Sequence, residues 1–172
     1  SFEDPAPMSL GVGPLGRIYV FDVIPQAKGN AVLSAAASYA AAAYATLAAG
    51  AGVKAVVNSA GSTVYQLDTP RAVSITIGTG TISATNVTIS GYDYYGQPMS
   101  EVISTGTTQS TTVTGTKAFY QVSSVYVGGD CGGTVAVGTS DVIGLPVRVT
   151  DAAYIARAGY NNTLAENAGT FV

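Results

Sequence analysis

Residues 86–104, NVTISGYDYYGQPMSEVIS, carry the architecture in miniature. Val87 and Ile89 alternate with Thr88 and Ser90, and a second run, EVIS, follows at 101–104. Successive side chains of a strand point to opposite faces, so a period of two means one face buried and one wet. The connection between the runs contains Gly91, Gly96 and Pro98, residues that turn a chain, and the stretch reads as a β-hairpin. Glu101 falls at the start of the return strand, where it reads as a solvated carboxylate rather than a catalytic one.

The same texture extends in both directions. VSITI (73–77) sets Val73, Ile75 and Ile77 against Ser74 and Thr76. VYQLD (64–68), KAFYQVSSVYV (117–127), TVAVG (134–138) and VRVT (147–150) continue the series at intervals of about ten residues with turn residues between them. Within 117–127 the apolar phase slips between Val122 and Val125, which predicts a bulge near Ser123 and Ser124. Upstream, RIYVFDVIP (17–25) is aromatic and β-branched, a strand by composition that ends at Pro25. Short strands, glycine-rich turns and no repeating helical pattern predict an all-β fold, a β-sandwich or jelly roll.

A chain of 172 residues, 47% hydrophobic and 10% charged, is one domain in length and able to bury a core. Residues 1–16 hold Pro5, Pro7 and Pro14 among glycines and form an extended arm; 17–150 form the sandwich; 151–172 form a C-terminal extension with a weak helical pattern over 152–158. Inside the sandwich lies the alanine-rich insert 31–52, whose composition allows a helix over 32–43 or a loop leading into a short strand at 44–48. The insert approaches the length of a membrane span. Alanine contributes little transfer energy, however, and serines, tyrosines and a threonine interrupt it, so no membrane partner is expected.

Charge and composition exclude more than they nominate. Seven Lys or Arg against ten Asp or Glu give a net charge of -3, and the cations are scattered, which argues against direct contact with nucleic acid. With no histidine, the usual proton shuttle and the commonest metal ligand are missing. The single cysteine, Cys131 in GGDCGG, makes no internal disulfide and reads as a small buried or loop residue rather than a nucleophile. SFEDPAPMSLG at the start lacks a signal-peptide pattern, so export is not expected, and the sequons at Asn86 and Asn161 carry no glycan on that reading.

GVGPLG (11–16) has the spacing of a dinucleotide loop, but it needs a strand before it and a helix after it, and here a proline-rich arm precedes a strand. The acids mark no catalytic pair; Asp93, Asp130 and Asp141 sit in turn contexts, where aspartate bonds its own backbone. No enzymatic activity and no cofactor are expected. Eleven tyrosines without a tryptophan offer wide, rigid area with polar tips; Tyr92, Tyr94 and Tyr95 fit a contact surface and core filling equally.

NVTISGYDYYGQPMSEVIS (86–104), TVTGTKAFYQVSSVYV (112–127) and GGTVAVGTSDVIGLPVRV (132–149) follow one another here as in a pattern common among virion structural proteins of tailed bacteriophages. The chain resembles these proteins over most of its length outside the alanine-rich insert, and PMSLGVGPLGRIYVFDV (7–23) is similar in style. Within that group it resembles the capsid cement, or head decoration, proteins of short-tailed double-stranded DNA phages. The resemblance implies a protein assembled in the host cytoplasm and placed on the capsid exterior. There it would bind the major capsid protein across joints between subunits, as a dimer or trimer, without catalysis. Contact candidates are then Phe2, Met8, Leu10 and Arg17 at the arm, Tyr92, Tyr94 and Tyr95 in the hairpin, and Phe171 in the tail. The rival expectations are a tail or head-fibre component, a carbohydrate-binding module stacking sugars on Tyr92, Tyr94 and Tyr95, and a hydrolase whose carboxylates converge in one cleft.

Overall fold

The computed structural model describes residues 18–145 together with 151, 154, 155, 159, 160, 163 and 164. The arm 1–16, Arg17, the strand expected at 147–150, most of the helical pattern at 152–158 and Phe171 lie outside the described residues.

The protein is all-β, and the described residues contain no α-helix. Eight strands form one antiparallel sheet: β1 (Ser34–Ser38), β2 (Ala43–Tyr44), β3 (Val53–Val57), β4 (Thr63–Ile77), β5 (Asn86–Tyr92), β6 (Pro98–Ser104), β7 (Thr111–Val127) and β8 (Thr134–Ile143). Their order is β1-β8-β4-β7-β5-β6, with β2 added to β7 and β3 to β4. A separate two-stranded ladder joins β9 (Gly159–Tyr160) to β10 (Thr163–Leu164).

The long strands β4 and β7 organise everything else. Straight strands of 15 and 17 residues would run about 50 Å at 3.3 Å per residue, too far for one small core. Each is broken in register instead. The first half of β4 pairs with β3 and with the far half of β7; after an irregularity between Gln66 and Arg71, its second half pairs with the near half of β7 and with β8. Val73, Ile75 and Ile77 of β4 and Val135 and Val137 of β8 therefore share one buried cluster with Val87 and Ile89 of β5 and Ile103 of β6. The sheet folds over itself as a sandwich around that cluster.

The hairpin at 86–104 forms as its alternation predicts, with β5 and β6 paired from Asn86–Ser104 to Tyr92–Pro98. Asp93 holds the turn: its Oδ1 accepts the N–H groups of Tyr95 and Gln97 at 2.8 and 2.9 Å, and Gly96 adopts φ 82°. The phase slip in β7 is a bulge at Ser123. Ser90 opposes Ser124 while Gly91 opposes Val122, and the Ser123 hydroxyl donates to the Ser90 carbonyl at 3.0 Å. A Cβ on Gly91 would run into the Gln121 carbonyl, so the bulge requires glycine opposite it.

Three expectations change. The alanine-rich insert is not helical over 32–43: it supplies β1, which pairs with β8, and β2, which pairs with β7. Helix propensity is a weak preference, and a helix in water is held by packing an apolar stripe; uniform alanine has no such stripe, whereas β7 and β8 offer ladder hydrogen bonds. The two runs at 64–68 and 73–77 belong to one strand, β4. The strand expected at 17–25 does not form. Residues 18–28 are irregular, with Ile18 91% and Ile24 92% exposed, and among the described residues no sheet edge pairs with them.

Candidate interaction surface

The outer face of the β6-β5-β7 region carries a row of directly opposed residues. Val102 of β6 faces Thr88 of β5, Thr88 faces Tyr126 of β7, and Tyr126 faces Tyr44 of β2. Cross-strand neighbours share a face, so these four side chains form one continuous stripe. Tyr44 and Tyr126 meet edge-on, ring centroids 5.0 Å apart at 64°. Tyr44, Tyr126 and Val102 are all exposed large side chains. The next row is Ser100, Ser90 and Ser124; beyond it stand Pro98, Tyr92, Gln121 and Gln66, with Gln121 Nε2 donating to Gln66 Oε1 at 3.0 Å. The face is rich in hydroxyl and amide groups and poor in charge.

Of the sequence candidates within the described residues, Tyr92 is half-buried on this face, while Tyr94 and Tyr95 stand exposed at the hairpin tip. Tyr94 packs on Tyr95 at 86° and on Tyr120 of β7 at 54°. Rings at right angles do not present the flat shelf on which a sugar ring stacks, so the hairpin offers no coplanar platform. Tyr44 and Tyr126 were not singled out in the sequence. Their signal was present in the phase of VSSVYV, where Tyr126 sits between two inward valines.

A second constellation, also not marked in the sequence, fixes the corner where β4 changes partners. Arg71 is 1% exposed. Its Nε donates to the Ser140 carbonyl at 2.8 Å, and its Nη1 donates to the Gln26 carbonyl at 3.0 Å and to both oxygens of Asp68 at 2.9 and 3.1 Å. Nη2 has no hydrogen bond but lies 3.6 Å from Asp141 Oδ1, and Asp141 pairs in turn with Lys28 at 3.4 Å. Asp68 also accepts the Gln26 N–H at 2.7 Å. The register of β8 against β4 slips beside Arg71, so the guanidinium fork takes up a carbonyl that the ladder leaves unpaired. The group pins the segment entering at Gln26 to the body. Asp141, placed in a turn context by the sequence, and Asp68, at the end of the run 64–68, both serve this ion cluster.

The remaining chemistry is sparse. A depression lined by Ser38, Thr79, Asp130, Gly132, Gly133 and Thr134 contains one carboxylate, and Asp130 bonds the Gly132 N–H at 2.7 Å as a turn aspartate does. Cys131 is buried against the core, its Sγ 3.4 Å from the Gly133 carbonyl. Among the described residues, no group of three or more histidine, cysteine or acidic side chains gathers at a metal-binding spacing. Comparison with protein-family models, with curated proteins and with solved structures finds no match to this chain.

Proposed function

We propose that this chain is a structural protein of a tailed-phage virion that coats the outer surface of the icosahedral capsid and stabilises contacts between major capsid protein subunits. The observation that carries the reading is the stripe Tyr44-Tyr126-Thr88-Val102, an exposed, charge-poor row mounted on a tightly packed sheet. Tyrosine supplies broad contact area at low entropic cost, and a rigid backing keeps that area preformed for docking. The likeness of 86–104, 112–127 and 132–149 to phage structural proteins points the same way. On this reading the arm 1–16 and the tail through Phe171 reach neighbouring subunits, and the sandwich is the body they are attached to.

Imaging of virions made with and without this protein tests the proposal. Density on the head surface that disappears with the protein, together with heads that rupture more readily, is the expected result. Unchanged head density with a shortened or missing tail appendage would move the protein to the tail or fibre and overturn the capsid reading.

A further inference from the structure

Residues 18–24, IYVFDVI, have a strand's composition and no strand partner among the described residues. Both faces of the segment are open: Ile18, Val20 and Ile24 on one parity and Tyr19 and Phe21 on the other are all exposed. Pro25, which cannot donate to a ladder, closes the run, and Gln26 is clamped by Asp68 and Arg71. The segment is thus an irregular run of strand-like composition, held at one end and exposed along most of its length, with Val23 half-buried. An isolated segment of this kind gains by entering a sheet edge.

The open edge that matches it is β3. Among the described residues this strand pairs only with β4. The Gly52 carbonyl accepts from Asp68, and the Asn58 N–H donates to Ser62, so by antiparallel alternation the even-numbered residues 52 to 58 bond toward β4. The N–H and C=O groups of Ala55 and Val57 then face away from the sheet, and the Val57 side chain is 71% exposed. Residues 18–24 contain one charge, Asp22, and β3 contains one charge, Lys54. Neither makes an ion pair among the described residues.

We infer that residues 18–24 of one copy add as an antiparallel strand to the β3 edge of a second copy, with Asp22 opposite Lys54. That register sets Val20 against Val56, Phe21 against Ala55 and Val23 against Val53, apolar on apolar. It also makes Asp22–Lys54 a non-hydrogen-bonded pair, the closer of the two antiparallel geometries. A shift of two residues either way faces Asp22 with Val56 or with Gly52. The same chain's own edge is the wrong occupant, because Gln26 lies against Gly52, its Cβ 3.1 Å from where a Cβ on Gly52 would be. Pairing that continued from there would oppose Ile24 to Lys54 and Asp22 to Val56. An edge from another copy carries no such constraint, and two copies exchanging segments about a two-fold axis close both edges at once. The inference concerns the protein alone and does not depend on the capsid reading.

Analytical ultracentrifugation of the full chain at micromolar concentration tests it. The wild type sediments as a dimer, Asp22→Lys and Lys54→Asp each weaken association by roughly tenfold or more, and the double swap restores it. Circular dichroism of each variant shows an unchanged sheet, since both positions are exposed. Mixing a Val20→Cys chain with a Val56→Cys chain under oxidation gives a covalent heterodimer. A monomer at these concentrations, a dimer indifferent to either charge reversal, or a Val20→Cys/Val56→Cys chain that closes its disulfide internally would overturn the inference.

Discussion

Glu101 of β6 lies across Gly115 of β7, its carboxylate accepting the N–H groups of Thr116 at 2.7 Å and Lys117 at 3.0 Å. The Thr116 hydroxyl adds a third bond at 3.2 Å, and Lys117 Nζ returns one to the Ser100 carbonyl at 2.8 Å. A Cβ on Gly115 would stand 2.7 Å from Glu101 Oε1, so the glycine leaves the space in which the carboxylate sits. Beyond the point where β7 leaves β5, Glu101 does the work of a neighbouring strand. It is a half-exposed tie between strands, a role its sequence context did not show.

Glu101→Ala and Gly115→Ala break the same contact by different routes. Each is expected to lower stability by about 1–2 kcal/mol, and the double variant by clearly less than the sum. Urea denaturation of the four proteins measures the cycle; strict additivity would show that the two residues act independently.

Arg71→Met leaves Asp68 without its cation at a buried corner and frees two backbone carbonyls. The expected loss is about 3–5 kcal/mol, and Arg71→Lys does not restore it, because an ammonium cannot reach Ser140, Gln26 and Asp68 together. Limited proteolysis gives the local readout: cleavage within 18–28 accelerates once Gln26 is released.

Gly91→Ala places a methyl group against the Gln121 backbone opposite the Ser123 bulge. Backbone cannot move aside as a side chain can, and a cost of about 1–3 kcal/mol is expected. Gly129, with nothing within 4 Å of its built Cβ, is the control, and Gly129→Ala leaves the thermal midpoint nearly unchanged.

Cys131 is the single thiol and is 2% exposed in the core. A thiol reagent is expected to leave the native protein unlabelled and to react at the rate of opening, so labelling followed in increasing urea reports that rate. Fast labelling in native buffer would place the thiol outside the core.

Tyr126→Ala and Val102→Asp alter the exposed stripe without reaching the core. On the capsid reading, each weakens binding to shells that lack the protein by roughly tenfold or more while lowering unfolding stability by no more than about 1–2 kcal/mol, so the fold persists. Co-sedimentation with such shells measures it.

Some of this architecture was already written along the chain. Alternation in 86–90 marked which side chains face inward, and the slip from Val122 to Val125 located the bulge, because the two-residue period of a strand is local. In 73–77 it placed Val73, Ile75 and Ile77 correctly but not Ser74, which is buried as well because β4 is covered on both faces there. The alanine-rich insert carries no such mark. Its side chains are nearly identical on every face, so β1 and β2 exist only because the edges of β8 and β7, some eighty to a hundred residues away, supply hydrogen bonds to them. Arg71 was equally silent. Asp68 lies three residues away on the same strand, but Gln26 and Ser140 come from distant stretches, and a charge is tolerated in the interior only after folding has gathered the groups that satisfy it. For residues 18–24 the local preference was legible while the outcome was not, since a strand needs an edge to pair with and none among the described residues pairs with it.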